Sequence, residues 1–256
     1  MRVFVIRVKR WYILVVLLLA LVSLVPQLRE PLVVSVTSRG RLVPIYAVQT
    51  ESKQLAISFD ATWGTELTDE ILDILKTHGI TTTFFLAGQW VDKHPDYVVK
   101  IAAAGHEIGN HSFSHPHMNT LSEQGIHYEL QKNQALIKDL TGQNTTLFRP
   151  PFGEYNNQVI SAASALGYHT IQWSVDSLDW KNLSSNQIYE RVMEQVEPGS
   201  IVLFHNAAPG TPGAIRRLIP DLLAKGYEIV PISQLLYQDN FYIDHAGIQR
   251  PAKGGR

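Results

Sequence analysis

The chain has 256 residues, a formal net charge of −1 at pH 7 and no cysteine. This length accommodates one large domain of barrel size, and the balanced charge gives no argument for a nucleic-acid partner. The absence of cysteine excludes disulfides, thiol nucleophiles and thiolate metal ligands, so a bound metal would need nitrogen and oxygen donors.

The first predicted element is a location signal at the N-terminus. Four basic residues lie within the first ten positions, and an apolar run over residues 11–25 follows, ended by Pro26. Such a run is short for a membrane span and long for the core of a signal peptide. No small-residue cleavage site follows it, so we predict an uncleaved signal anchor in residues 1–30 rather than a cleaved peptide. The basic end would stay in the cytoplasm, with the rest of the chain outside the membrane.

A stalk is predicted for residues 31–50, and a regular alternation of strands and helices begins at Leu55. Short apolar or β-branched segments predict seven strands, at residues 55–59, 82–86, 107–109, 146–148, 168–173, 201–204 and 228–230. Helical periodicity and glycine stops predict helices between them, with Thr68 and Thr211 as the N-terminal caps of two and Ser122 at the start of a third. The last residues, 241–256, are predicted to be a frayed tail.

Strand–helix alternation of this regularity predicts an α/β fold, with a parallel sheet covered by helices. Seven units in a single domain over residues 51–240 suit a closed or nearly closed barrel, and an open doubly wound sheet is the alternative.

Polar residues follow the predicted strands at their carboxyl ends, where chemistry collects in α/β folds. Five of the seven predicted strand ends carry one or two such residues each. In chain order these are Asp60, then His111 and His115, then Arg149, then Asp176 and Asp179, then His205. Placement on one rim predicts that these side chains share a single pocket.

The residue types in this pocket suit hydrolysis of an ester or amide. His111 and His115 stand at a spacing that lets two imidazoles bind a transition metal such as zinc. A carboxylate such as Asp60 can act as general base and His205 as general acid.

The other predicted pocket residues would orient these groups or contact the substrate. Arg149 beside a carboxylate would hold it ionised. Asp179, preferred over Asp176, would raise the pKa of a neighbouring histidine. The turn at Phe152 offers free backbone N–H groups to a developing oxyanion, and Trp180 and Leu203 would wall a small apolar pocket.

These motifs resemble the NodB-homology polysaccharide deacetylases, carbohydrate esterase family 4, and most closely the PdaB-like sporulation branch. They stand in family order across about residues 50–236, as Ser58-Phe59-Asp60, His111-Ser112-Phe113-Ser114-His115, Arg149-Pro150-Pro151-Phe152, Asp176-Ser177-Leu178-Asp179-Trp180 and Leu203-Phe204-His205. The resemblance implies a distorted (β/α)7 barrel. It also implies removal of N-acetyl or O-acetyl groups from the sugars of a cell-wall or spore-wall polysaccharide such as peptidoglycan.

The resemblance also assigns roles to single residues. It implies that Asp60 is the base, with Arg149 as its partner, and that His205 is the acid, tuned by Asp179. It assigns the pair His111 and His115 as ligands of a divalent metal, with zinc expected and cobalt or nickel as alternatives.

One position departs from the family pattern. The family usually has a second aspartate after the base, as third metal ligand, where this chain has Ala61. A methyl group cannot bind a metal, so the ion would be held weakly unless water, Asp60 or Glu66 completes the site. The alternative function is therefore a catalytically impaired protein that still binds glycan.

The partner predictions follow from the same features. We expect a membrane-tethered monomer whose partner is an acetylated polysaccharide and not a nucleic acid. No glycine-rich phosphate loop follows any predicted strand, which argues against a nucleotide-binding protein.

Overall fold

A computed structural model describes residues 34–35 and 40–252 of the chain. The predicted signal anchor in residues 1–30 lies outside the described residues, as do the last four residues. Across the described ranges, no helix combines the length and the apolar character needed to cross a bilayer.

The described part of the chain alternates strands and helices. The strands are β1 (Val34–Ser35), β2 (Ala47–Val48), β3 (Gln54–Ala61), β4 (Thr83–Leu86), β5 (Glu107–Asn110), β6 (Leu147–Phe148), β7 (His169–Thr170), β8 (Val175–Asp176), β9 (Ile201–His205), β10 (Glu228–Ile229), β11 (Phe241–Ile243) and β12 (Ile248–Pro251). The helices are α1 (Thr68–Thr77), α2 (Gly88–Lys93), α3 (Pro95–Ala103), α4 (Glu123–Thr141), α5 (Asn157–Ala165), α6 (Ser185–Gln195), α7 (Thr211–Ala224) and α8 (Ile232–Leu235).

The central sheet is parallel and is organised around β3. Its strand order is β7-β6-β5-β4-β3-β9-β8, and β10 pairs with the start of β3. The strand β3 is buried along almost its whole length because helices cover the sheet, as expected for parallel strands. Its register places Asp60 beside His205 on β9, so these two residues are neighbours at the carboxyl edge of the sheet.

The sheet curls into an incomplete barrel. The end strands β7 and β8 form no ladder with each other in the described chain. The stretch before β3 lies between these ends, where Ile45 bridges to Ile171 and Ala47 bridges to Ser200. The predicted parallel, barrel-like α/β fold is confirmed in this coarser form. The structure adds the two-residue strand β8, which is too short to give a periodic signal.

Alternation along β3 separates the apolar core from the polar pocket. The ring of Phe59 is fully buried and stacks on Phe84 and Phe204, with ring centroids 4.9 and 5.7 Å away. Because successive side chains of a strand point to opposite faces, Asp60 projects away from this core.

The predicted stalk and frayed tail were wrong for the described residues. The strands β1, β11, β12 and β2 form a second, four-stranded sheet that joins the two ends of the described part of the chain. Ile45 and Val48 are buried, as is Phe241 near the other end. Strands of two to four residues that pair with partners far away in the sequence leave no local periodicity, which is why the sequence did not reveal them.

Thr68 and Thr211 do not cap their helices as predicted. Each is instead the first residue of its helix. The cap positions before them are occupied by Leu67 and Gly210, which make no side-chain capping hydrogen bond. The hydroxyl of Thr211 donates to Asp179 Oδ2 at 2.6 Å, which ties the start of α7 to the rim of the sheet.

Candidate active site

The predicted rim residues lie together around one cavity of about 640 Å³ at the carboxyl edge of the central sheet. Nine of the predicted residues line it: Asp60, His111, His115, Phe152, Asp176, Asp179, Trp180, Leu203 and His205. The tenth, Arg149, lies behind the wall and reaches the site through Asp60. The cavity is also lined by Trp63, Trp173 and Asn206.

Asp60 is held by a buried arginine. Arg149 has no exposed surface, and its Nη1 donates to Asp60 Oδ1 at 2.7 Å while its Nη2 donates to the carbonyl of Gln172 at 3.1 Å. The guanidinium lies over the ring of Phe85 at 4.1 Å. Burial alone would raise the pKa of Asp60, but the neighbouring positive charge, that of Arg149 above all, leaves that pKa below its usual value. Asp60 is therefore a carboxylate with one oxygen fixed and one facing the cavity.

The two histidines meet through a strained turn. Ser112 and His115 both have left-handed backbone, with φ of 63° and 55°, and the His115 amide donates to Ser112 Oγ at 3.1 Å. This backbone conformation brings the rings of His111 and His115 to a centroid distance of 5.0 Å. Strain of this kind costs on the order of 1–3 kcal/mol per residue and tends to occur at functional sites.

Hydrogen bonding fixes which nitrogen of His111 is available. Its Nδ1 donates to the carbonyl of Arg149 at 2.7 Å, since a carbonyl can only accept. This leaves Nε2 as an acceptor, 3.6 Å from Asp60 Oδ2. Burial lowers the pKa of His111, and burial together with His111 lowers the pKa of His115 to about 4. Both imidazoles are therefore neutral near pH 7, the form that binds metals.

His205 is bound to Asp179 and not to Asp176. Its Nδ1 donates to Asp179 Oδ1 at 2.7 Å, and its backbone N–H donates to Asp179 Oδ2 at 2.8 Å. Burial alone would lower the pKa of His205, but the hydrogen bond and the charge of Asp179 outweigh it and raise that pKa above its ordinary value. Asp176 instead accepts from the N–H of Leu178 at 2.8 Å. His205 is therefore protonated more readily than a free histidine, with Nε2 left for the cavity.

Exposed aromatic side chains surround the cavity mouth. Trp63, Phe152 and Trp180 are each more than half exposed. Phe152 has left-handed backbone, with φ of 59°, and its N–H has no acceptor in the described chain. The ring of His117 stacks on Phe152 at 4.5 Å and holds the Phe152 ring at the rim.

The site lacks a third protein donor beside the histidine pair. Ala61 is fully buried, and the described residues contain no group of three or more His, Asp or Glu side chains placed to hold a metal. Glu66 does not line the cavity, and its carboxylate accepts from the Thr65 amide at 2.9 Å. Of the alternatives considered for completing the site, Glu66 is therefore not placed to do so. The donors present fit an ion held by two imidazoles, with its remaining positions left to solvent.

The histidine turn rests on a buried polar set from α4 that sequence reasoning missed. Glu129 accepts from the amides of Phe113 and Ser114, at 2.9 and 2.7 Å, and from the Ser114 hydroxyl at 2.7 Å. Asn133, one turn further along α4, donates to Asn110 Oδ1 at 2.9 Å. Both residues lie on the buried face of the helix, and two polar residues four apart on an apolar face were the signal in the sequence.

Replacing Glu129 tests this support. Glu129→Leu is expected to destabilise the chain by about 1–3 kcal/mol, because two buried N–H groups lose their acceptor, and to weaken metal binding about 10- to 100-fold. Glu129→Gln keeps an oxygen for both amides and is expected to have a much smaller effect. Thermal unfolding and metal titration measure the two quantities, with exposed Glu123→Gln on the same helix as control. Equal metal affinity in Glu129→Leu and the parent would contradict the assignment.

Comparison with known proteins identifies the family. The sequence profile described as polysaccharide deacetylase matches residues 47–171. The peptidoglycan-N-acetylmuramic acid deacetylase PdaA of Bacillus subtilis is 33% identical over 197 residues, which cover 75% of this chain and 75% of that protein. The chain belongs to the polysaccharide deacetylase family. This confirms the family resemblance that the sequence motifs predicted.

Relatives of this deacetylase family differ in length and in description. The uncharacterized protein YlxY of Bacillus subtilis is 33% identical over 193 residues, covering 75% of this chain but only 60% of that protein. Family members are hydrolases that are generally metal-dependent.

Solved structures of family members share the fold. A wild-type pseudoenzyme of the CE4 family from Bacillus anthracis superposes with a TM-score of 0.74 at 36% identity, covering 77% of this chain and 70% of that chain. A mutant of the same protein with restored enzymatic activity also superposes at 0.74, with 38% identity and coverage of 77% and 72%. The family thus contains both active deacetylases and a member described as a pseudoenzyme.

Proposed function

We propose that this chain removes acetyl groups from the amino sugars of peptidoglycan. The observation that carries the proposal is the pairing of Asp60 with His205 on adjacent strands, one held ionised by Arg149 and the other bound to Asp179. A base with a lowered pKa and an acid with a raised pKa on one cavity wall are the two proton-transfer groups that amide hydrolysis needs. The relative PdaA, named a peptidoglycan deacetylase, supports this substrate class.

In the proposed mechanism, Asp60, the backbone N–H of Phe152 and His205 act one after another. The free oxygen of Asp60 takes a proton from the attacking water, and the resulting hydroxide adds to the acetyl carbonyl. The unpaired N–H of Phe152 donates to the oxyanion that develops there. His205 then protonates the leaving nitrogen as the C–N bond breaks, releasing acetate and a free amine. Leu203 and Trp180 provide an apolar wall against the acetyl methyl group.

His111 and His115 would hold the metal in this mechanism. A divalent ion, zinc with cobalt or nickel as alternatives, polarises a carbonyl and acidifies a bound water when present. Two imidazoles without a carboxylate leave the charge of the ion uncompensated, so we expect weak and exchangeable binding.

The location is part of the proposal. The basic residues and apolar run of residues 1–30 favour a single-pass anchor in the cell membrane, with the catalytic domain outside as a monomer. An extracytoplasmic position would give the cavity access to peptidoglycan. Resemblance to the sporulation branch favours a spore-associated role, which expression timing and fractionation during sporulation would test.

Acetate release from peptidoglycan by metal-supplied protein tests the reaction. His205→Ala is expected to lower the rate about 10²- to 10⁴-fold because the leaving amine loses its proton donor. His78→Ala, which removes a histidine away from the cavity, is the matched control. Folded protein that releases no acetate from peptidoglycan, chitin oligomers or acetylxylan in the presence of zinc, cobalt or nickel would contradict the proposal.

The pH profile gives a separate prediction for Asp179. Because Asp179 raises the pKa of His205, the acid stays protonated to higher pH than a free histidine would. Asp179→Asn removes the negative charge, so the alkaline limb of the rate profile should move to lower pH and the rate near neutrality should fall. An alkaline limb at the same pH in the variant would show that His205 is not the titrating acid.

Ala61 favours a second candidate, a glycan-binding protein with impaired hydrolysis. A pseudoenzyme of the CE4 family shares this fold at 36% identity, which gives the second candidate a structural parallel. Retention on insoluble peptidoglycan without acetate release, at saturating metal, would support this alternative over the first.

A further inference from the structure

A second cavity, of about 280 Å³, lies where the small sheet meets the loop that follows β6. It is lined by Arg41, Val43, Tyr46, Tyr155, His245 and Ala246. These residues come from the stretch before β2, from the loop before α5 and from the turn between β11 and β12. Only Tyr155 falls within the segment that matches the family profile, so this cavity is built mainly from parts of the chain outside that match.

The walls of the cavity are tightly fitted. The amide of Tyr46 donates to the carbonyl of Gly247 at 2.8 Å, and a Cβ added to Gly247 would lie 2.3 Å from the Tyr46 ring. Only glycine permits so close an approach, and its φ of +80° also favours glycine. On the other side, Asn157 accepts from the Leu42 amide at 2.8 Å and holds residues 40–42 against the start of α5.

Hydrogen-bond donors converge in this cavity. The Tyr155 hydroxyl accepts from Tyr46 at 3.2 Å and from Arg41 Nη2 at 3.3 Å. A hydroxyl has two acceptor positions and one hydrogen, so the Tyr155 hydrogen remains for a third group. Burial and the neighbouring hydroxyl of Tyr155 raise the pKa of Tyr46, which keeps it neutral and able to donate.

The lining of the second cavity contains no acidic side chain among the described residues. Arg41 and His245 are its ionisable groups besides the tyrosines, and none of the described lining residues is a carboxylate. The acids next to two lining residues are already paired: Asp244 accepts from Arg250 Nε at 2.6 Å, and Glu154 accepts from His117 at 3.0 Å. The guanidinium of Arg41 and the remaining hydroxyl hydrogen of Tyr155 can donate hydrogen bonds to the same oxyanion, either a planar carboxylate or a tetrahedral phosphate.

One loop contributes residues to both cavities. Phe152 and Gly153 line the active-site cavity, and Tyr155, two residues further on, lines the second one. On the same side, the amide of Gln172 donates to the carbonyl of Ile45 at 2.7 Å and its side chain donates to the carbonyl of Gly153 at 3.2 Å. A polymer seated in the active-site cavity would reach the second cavity by extending a substituent past residues 153–155 of this loop.

We propose that the second cavity binds an oxyanion carried by the polymer, while a neighbouring acetylated sugar occupies the active-site cavity. The oxyanion is either the carboxylate of a peptide stem attached to the glycan or the phosphate of an anionic polymer linked to it. This inference rests on the proposed function, since it takes peptidoglycan as the polymer in the main cavity.

Calorimetric titration of the full chain with three probes tests the assignment. The probes are a disaccharide–tetrapeptide, a glycerol phosphate oligomer and uncharged chitotetraose. Arg41→Ala is expected to weaken binding of the peptide-bearing probe about tenfold, with less than a twofold change for chitotetraose. Tyr155→Phe keeps the ring and is expected to weaken the same probe several-fold. If Arg41→Ala weakens the phosphate probe instead, the second source of the oxyanion is the correct one.

A matched arginine provides the control. Arg217 lies over the ring of Tyr189 at 4.1 Å, as Arg41 lies over Tyr155 at 5.6 Å, but it lines neither cavity. Arg217→Ala is expected to leave all three affinities unchanged. Equal losses for charged and uncharged probes in Arg41→Ala, or no loss for either charged probe, would overturn the proposal.

Acetate release in the same samples separates the two proposals. Unchanged KM in Arg41→Ala, both for peptide-bearing glycan and for glycan that carries the phosphate polymer, would overturn the oxyanion site and leave the deacetylase intact. Selective, Arg41-dependent binding by protein that releases no acetate would support the oxyanion site and count against the reaction.

Discussion

Asp60→Asn is expected to reduce acetate release by about two to four orders of magnitude, because the amide cannot accept the proton of the attacking water. The same change should destabilise the chain by about 3–5 kcal/mol, because it leaves the fully buried Arg149 without its counter-charge. Arg149→Met should be comparably destabilising, since it leaves a buried carboxylate unpaired. Chemical denaturation measures the stability and an acetate assay the rate.

The double variant separates the structural from the chemical role of this pair. Removing both charges in Asp60→Asn/Arg149→Met should recover most of the lost stability, because no unpaired charge remains in the core. Acetate release should not recover, because the base is still absent. Exposed Arg216 and Glu70, whose side chains are 59% and 46% exposed, provide the control pair. Breaking that pair should cost less than about 1 kcal/mol.

Either of two results would contradict this assignment. Activity of Asp60→Asn within twofold of the parent would exclude Asp60 as the base. A double variant that is less stable than both single variants would show that Asp60 and Arg149 stabilise the fold by more than neutralising each other's buried charge.

The sequence predicted the rim of the active site because parallel strands share one direction. Once 55–59 and 201–204 were assigned as strands, the residues that follow them had to meet at one edge of the sheet. Asp60 and His205 do so in neighbouring register positions. The choice of Asp179 over Asp176 depended on the path of a turn, and the structure resolved it through the 2.7 Å contact to His205.

The parts that the sequence did not reveal depend on contacts between distant segments. The small sheet pairs β2 with β12, some 200 residues later, and each strand is too short for a pattern to emerge. Thr211 looked like a cap because helix starts favour threonine, yet its hydroxyl bonds Asp179 instead. Both the pairing of the short strands and the role of Thr211 depend on residues far away in the sequence, and a single sequence does not show such contacts.

Ala61→Asp is expected to tighten binding of zinc at least 10- to 100-fold, because the carboxylate supplies a third donor and a negative charge beside two neutral imidazoles. The variant should also release acetate faster than the parent at limiting metal. Without metal it should be less stable than the parent by about 1–3 kcal/mol, because Ala61 has no exposed surface and a carboxylate there is desolvated.

Metal dependence of stability distinguishes a ligand from a mere buried charge. An ion at 100 times its dissociation constant adds about 2.7 kcal/mol to the stability of the form that binds it. Zinc should therefore offset the loss in Ala61→Asp, whereas it should not rescue Ala163→Asp, which buries a carboxylate in α5 away from the cavity. If Ala61→Asp binds zinc no more tightly than the parent, another oxygen already completes the site. The weak binding inferred from the missing carboxylate would then be wrong, and Ala61 would no longer favour impaired hydrolysis.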